Sequence, residues 1–405
     1  MRSQILLAAF IVAGPAFAWE LRTDSAGDLV KWPTTVVMTL DAKALDELPH
    51  GAEEAVRAAF ANLDEATPFL DVQVKVGAAK PIGYVQGEEN TNSIVALDDW
   101  PYSSGALAVT LVTLNARTNE ILDADVAFNL EQHHFKVLPV PTRGDDRQFD
   151  DVQNTFTHEL GHVLGLMHNA GQSDLVMYPS ATPGEITKRT LKQDDRDGLL
   201  SLYGTAPLAP AEPEPQFGCS ATGSLTAWAL LALVPLLLRR RAPVSVPVRA
   251  RRALPLILAL APAFALAAEP AENARALMTI ERASDVAVVE VTARQSTFHP
   301  KYPGLIITTL TLSPRECLKG GCPQMESMVV PGGRVGDLEQ YVAHEPVPGQ
   351  GEQLVVCRGA GRLQILRGDA DLRVRVIEGL RARSLTTRVQ GSPQPSATQT
   401  PATTP

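Results

Sequence analysis

Residues 155–168 read TFTHELGHVLGLMH, and the rest of the chain is understood outward from them. His158 and His162 are four residues apart, so on a helix both imidazoles project from one face and can share one metal ion, with Glu159 beside them. Gly165 lets the chain leave that helix, and His168 can join the other two histidines only if it does. Three nitrogen ligands leave a tetrahedral ion one open position for water. A bare HExxH also fits an ordinary amphipathic helix with surface histidines. The glycine, the third histidine and Met177, in the later DLVMYPS, make that bland alternative a poor fit here.

Upstream, Asp150 and Asp151 precede the motif where negative charge suits a helix N-terminus, and the helix is expected to run to Gly165. Further back, LVKWPTTVVMTL is β-rich, and AEEAVRAAFANLDEA places Val56, Ala59, Phe60 and Leu63 at helical spacing. DVQVKV, SIVAL, GALAVTLVTL and ILDADVAF are strand candidates, the last two joined by the polar turn ARTNE. Downstream, TLKQDDRDGLLSLYG is expected to close the domain with a helix ending near Gly204. The order is β-α-β-β-β-β, then two helices.

TFTHELGHVLGLMH followed by DLVMYPS resembles the metzincin clan and, within it, the matrixin family, over roughly residues 28–204. The resemblance implies an α+β catalytic domain: a twisted mixed sheet over an active-site helix, with an extended protein or peptide substrate along an edge strand placed in GALAVT. It implies one catalytic Zn2+ on His158, His162 and His168, a methionine turn at Met177 beneath them, and Glu159 as the general base for a zinc-activated water. Tyr178 follows the methionine directly and Pro179 stands where some metzincins carry a tyrosine ligand, so no tyrosine is assigned to the metal. Val109 stands where matrixins place a histidine for a second, structural zinc. Asp98, Asp99, Asp123 and Asp125 offer oxygens to Ca2+, but solvated turns and hairpin ends account for them as well, and calcium is not assigned. His133 and His134 are candidates for lining the substrate cleft, with a solvated loop as the alternative. No cysteine precedes Cys219, which excludes latency by a propeptide cysteine, and the short stretch before the first strand leaves no room for a folded prodomain.

Of the 405 residues, 45% are hydrophobic and 20% charged, a globular mixture with room for two or three domains. The net charge of −9 is uneven: residues 19–208 hold 29 acidic and 14 basic side chains, which argues against a nucleic-acid partner. MRSQILLAAFIVAGPAFA, ending in Ala16-Phe17-Ala18, has the pattern of a secretory signal peptide, so residues 1–18 predict export, with the catalytic domain spanning 19–204. Residues 205–218 form a Pro-rich acidic linker.

Residues 219–241 join Cys219, an uncharged run at 221–238 and Arg239 to Arg241, resembling a myxobacterial C-terminal sorting signal in which the cysteine is a lipidation or sorting site. A plain transmembrane anchor shares the apolar run and the arginines. Such a signal ordinarily ends a protein, yet here a basic loop and a second apolar segment follow at 242–268. That pattern fits either two exported proteins read as one chain or a two-span hairpin with both domains outside. Residues 269–385, with SDVAVVEVTA, LIITTLTL, SMVVP and EQLVVC, predict a small all-β domain without a catalytic constellation, and 386–405 a disordered tail. Cys317 and Cys322 suit a short-loop disulfide with Cys357 left over, although three cysteines permit other pairings. The expected function is a zinc metalloendopeptidase of the exterior or cell surface; the competing one is a zinc-bearing adhesion or binding protein that does not cleave. Oligomeric state is not legible.

Overall fold

In Thr35–Asp41 the side chains of Val36, Met38 and Leu40 turn inward while Thr35 and Val37 stay exposed, which makes this segment the first strand, β1. The computed structural model describes residues 19–205 and 271–381, apart from 25–26, 64–65, 103–105, 322–325, 360–361 and 367–372. After β1 come α1 (Ala42–Glu47), α2 (Ala52–Ala61), β2 (Asp71–Gly77), β3 (Asn92–Leu97), β4 (Ala108–Asn115) and β5 (Ile121–Asn129). A short parallel pair, β6 (Phe135–Lys136) with β7 (Asp150–Asp151), leads into α3 (Val152–Val163), and α4 (Gln193–Tyr203) closes this half. The expected strand and helix order holds, with α1 added.

β1 pairs in parallel with β2 and β3, β3 in parallel with β5, and β4 antiparallel with β5. The result is the mixed sheet and helices of an α+β fold. α2 lays Val56, Ala59 and Phe60 on the sheet and α3 lays Phe156 and Leu160 there, against Met38, Val126 and Phe128. The Phe60 and Phe156 rings meet at 5.6 Å. Each such buried side chain contributes on the order of 1.5–3 kcal/mol. Phe156 and Leu160 alternate with His158 and His162 at two-residue steps, about 200° of helical rotation, so anchoring the apolar stripe turns the histidines to the opposite side.

The later half begins with α5 (Ala271–Arg282), then β8 (Asp285–Phe298), β9 (Ile306–Lys319), β10 (Glu326–Pro331), β11 (Gly333–Val335), β12 (Leu338–Val342), β13 (Gln353–Gly359) and β14 (Arg362–Ile365). With α5 and a further helical stretch at 373–381, this half is not all-β as its strand runs suggested. Five of its strands form an antiparallel sheet in the order β10-β9-β8-β13-β14.

The other two strands correct a second expectation. β4 is not a free edge: β12 pairs antiparallel with it from Leu338 opposite Asn115 to Val342 opposite Leu111, and β11 pairs with β12 in turn. The first sheet therefore has seven strands, β11-β12-β4-β5-β3-β1-β2. Seven of the eight residues of β4 are buried, as suits a strand covered on both faces and at both edges. All described residues belong to one compact unit.

No helix among the described residues is long and apolar enough to cross a membrane. The signal-like residues 1–18, Cys219, the apolar runs 221–238 and 253–268 and the tail 386–405 lie outside the described residues. Cys317 is disulfide-bonded and Cys357 is a buried free thiol, while Cys322 is not among the described residues.

Candidate metal centre

α3 starts on Asp151, whose carboxylate accepts Asn154 N at 2.8 Å and Leu138 N at 2.9 Å and pairs with the Arg189 guanidinium. The helix ends at Val163, two residues before the expected Gly165, which adopts the left-handed conformation (φ 102°). Leu166 N donates to Gly161 O at 2.9 Å and Gly165 N to His162 O at 3.1 Å, the paired bonds of a Schellman motif. The remaining terminal carbonyls are also satisfied: His162 O accepts the Arg22 guanidinium, Val163 O the Trp32 indole at 2.9 Å, and Leu164 O the Tyr203 hydroxyl at 2.8 Å. The reversal at Gly165 is thus fixed from every side, and it returns His168 to the helical pair.

The imidazoles of His158, His162 and His168 converge, with His162 Nε2 and His168 Nε2 3.2 Å apart. His158 Nδ1 donates to Val176 O at 2.5 Å and His162 Nδ1 to Leu166 O at 2.8 Å, which leaves each Nε2 as an unprotonated lone pair aimed inward. His158 Nε2 is buried and has no hydrogen-bond partner. Burial, reinforced by His344, pushes His158 down to about 3, and burial holds His162 and His168 well below the ordinary imidazole range. Neutral, converging nitrogens, one of them without a partner, are what a zinc ion takes, so these residues fit that metal.

Met177 lies beneath the cluster, where a Cβ at Gly161 would overlap its sulfur. The carboxylate of Asp195, in the first turn of α4, accepts Val176 N at 3.1 Å, Met177 N at 3.2 Å and Lys192 N at 2.9 Å, tying the methionine turn to the closing helix. Tyr178 packs its ring under Lys188, whose buried ammonium donates to Tyr178 O at 3.0 Å and Ser180 O at 2.5 Å. Burial pushes the Lys188 ammonium down to about 8.

Glu159 is buried, with Oε2 accepting the Thr110 hydroxyl of β4 at 2.8 Å. Its burial favours the protonated form, but the hydrogen bond and charge of His344, with smaller contributions from His158 and Thr110, outweigh it and hold the carboxyl below its usual value.

His344 is the residue that sequence reading missed. It lies just past β12, outside the half that carries the motif, yet its imidazole joins the other three in one group of possible metal ligands whose ligating atoms all fall within 4.8 Å of one another. Its Nε2 is 3.4 Å from Glu159 Oε1, and its ring centroid is 4.3 Å from that of His168 and 5.1 Å from that of His158. The only local sign is the segment YVAHEP, which carries no metal spacing.

Other candidates fall elsewhere. His133 Nδ1 meets Asp150 Oδ2 at 3.1 Å beside Phe135, and neither His133 nor His134 lines the cleft of about 840 Å3 that His158, Glu159, His168 and His344 line. Asp123 and Asp125 are not solvated but buried in β5; Asp125 accepts Gly83 N at 2.6 Å and Ser93 N at 2.7 Å. Asp99 pairs with Lys301 and accepts the Tyr302 hydroxyl at 3.0 Å. Among the described residues these aspartates form no metal cluster.

Residues 31–204 match the model of the Matrixin family. Similar curated proteins include matrix metalloproteinase-27 of Homo sapiens, 36% identical over 19% of this chain and 17% of the relative. Stromelysin-1 of Mus musculus is 39% identical over 19% of this chain and 20% of the relative. Metalloendoproteinase 1-MMP of Arabidopsis thaliana is 31% identical over 37% of each. The chain thus spans well under half the length of these relatives. Residues 31–204 are thus similar in sequence to the matrixin family, and this stretch carries the three motif histidines of the cluster.

Proposed function

We propose that this domain is a zinc-dependent endopeptidase acting on exported or extracellular proteins, with His158, His162 and His168 holding the ion. The observation that carries the reading is the convergence of the three motif imidazoles beside a buried carboxylate, one oxygen of which is held by Thr110 while the other faces His344. Zinc held there supplies Lewis acidity, making a water more acidic and polarising the scissile carbonyl. Thr110 occupies Glu159 Oε2, so Oε1 is the oxygen turned to the ligand group, where it takes the proton of the attacking water and hands it to the leaving amine. The hydrogen bonds at His158 Nδ1 and His162 Nδ1 keep both rings in the ligating tautomer throughout. Export rests on the signal-like residues 1–18 and surface display on Cys219 with the apolar run after it.

A non-catalytic zinc-bearing adhesion protein would keep the histidines but has no use for a buried carboxylate at Glu159. The test is casein hydrolysis by the zinc-loaded protein. Hydrolysis is expected to stop with chelator, and in Glu159→Ala to fall by at least about 10²-fold while one zinc per chain is retained. Retained turnover in Glu159→Ala sinks the assignment.

A further inference from the structure

We propose that the later half of the chain is a built-in inhibitor of this site: β12 takes the place of an extended peptide on β4, and His344 supplies a fourth nitrogen to the metal. The inference rests on the peptidase reading for what is inhibited, but its geometry stands by itself.

β12 continues past Val342 with Ala343 N donating to Thr110 O at 2.8 Å, so the chain follows β4 up to the residue whose hydroxyl holds Glu159. A peptide bound for cleavage stays extended across the metal, as strand addition to a sheet edge requires. Here it does not. Glu345 N donates to Val342 O at 3.1 Å, closing a turn in which His344 takes the left-handed conformation (φ 69°). The turn carries the backbone away and leaves an imidazole nitrogen, which cannot be hydrolysed, facing the ligand group. The same imidazole lies against the base, with Nε2 3.4 Å from Glu159 Oε1, so His344 crowds both the metal position and the base, and an Nε2 bound to the metal gives up its hydrogen bond to Glu159.

The docking has its own buried interface. Leu305 and Val342 share an apolar cluster with Val109 and Leu111 of β4, Ile82 and Trp100. Gln340 donates to Thr113 Oγ1 at 3.0 Å, and its carbonyl accepts Ile306 N at 2.6 Å, both in buried surroundings. Gly83 and Gly304 meet backbone to backbone, so closely that a Cβ at either would overlap the other. A chance apposition does not bury a polar side chain with its partners satisfied and match two glycines.

The test uses the full-length chain loaded with Co2+ in place of zinc, reading its visible absorption together with hydrolysis of a quenched peptide library. In His344→Ala the cobalt bands are expected to change as a nitrogen gives way to water, and hydrolysis to rise at least about tenfold, since an inhibitor held in the same chain acts at high effective concentration. Gly304→Leu touches no ligand and is expected to undock β12, with the same two changes. Cobalt bands identical in wild type and His344→Ala overturn the inference, as does a folded Gly304→Leu chain that matches wild type in both readouts. Changed bands with no hydrolysis by any variant uphold the fourth ligand and sink the peptidase reading instead.

Discussion

Gly161 is the glycine where an added methyl group would press directly on the candidate metal centre. It lies between the two helical histidines, and a side chain there would overlap the Met177 sulfur. Gly161→Ala is expected to cost about 1–3 kcal/mol in denaturant unfolding, the usual penalty of overpacking, and to loosen metal binding because Met177 is displaced. Asp123 and Asp125 make a second residue-level case. Burial raises both carboxyls, Asp125 to about 6, and each feels the other. A carboxyl raised on folding binds its proton more tightly in the native state. Its contribution to stability is therefore full below about pH 4 and is lost as pH rises through about 6. Asp123→Asn is expected to flatten that loss, measured as the difference in unfolding midpoint between pH 4 and pH 7; an unchanged difference would count against the shared burial as its cause. At this scale the sequence was most readable where spacing alone decides geometry: four residues from His158 to His162, and a glycine where the helix must stop. The burial of the two aspartates was unreadable, because ILDADVAF does not say which strand will cover each face.

α4 shows how an element far from the motif in sequence sets its geometry. One carboxylate, Asp195, receives the backbone of its own N-terminal turn and of Val176 and Met177. Val176 O in turn holds His158 Nδ1. Asp195→Asn leaves one acceptor oxygen for three N–H groups, with an expected loss of about 1–3 kcal/mol and weaker zinc retention on dialysis. Unaltered zinc retention would mean that the methionine turn is held by its own loop. The strands of the first half were legible from alternation and turn residues, and the closing helix from LLSLY, because their partners lie nearby in sequence or on one apolar face. β12 was not: LEQYV is short, and its partner β4 is complete in sequence long before it is made. The available sign in β4 was that only threonines, not charged residues, interrupt its apolar positions up to Leu114, since open edge strands are commonly blunted with charge.

For the whole molecule, one sheet is drawn from both halves, and β12 on β4 is the pairing that joins them. A single cooperative calorimetric transition is expected for residues 19–205 and 271–381, and zinc held at 1,000 times its dissociation constant is expected to add about 4 kcal/mol to it. Two well-separated transitions, only one of them moved by zinc, would show that β12 is loosely held. The contact of Gly83 with Gly304 carries this coupling into heredity. A substitution at either glycine forces a retreat in the other half of the molecule, so the two cannot drift independently while they stay docked. If the later half were exchanged for that of a distant relative, the two glycines would no longer be matched, and the expected product is a chain whose halves dock poorly. Selection would then keep both coding segments together as a matched pair.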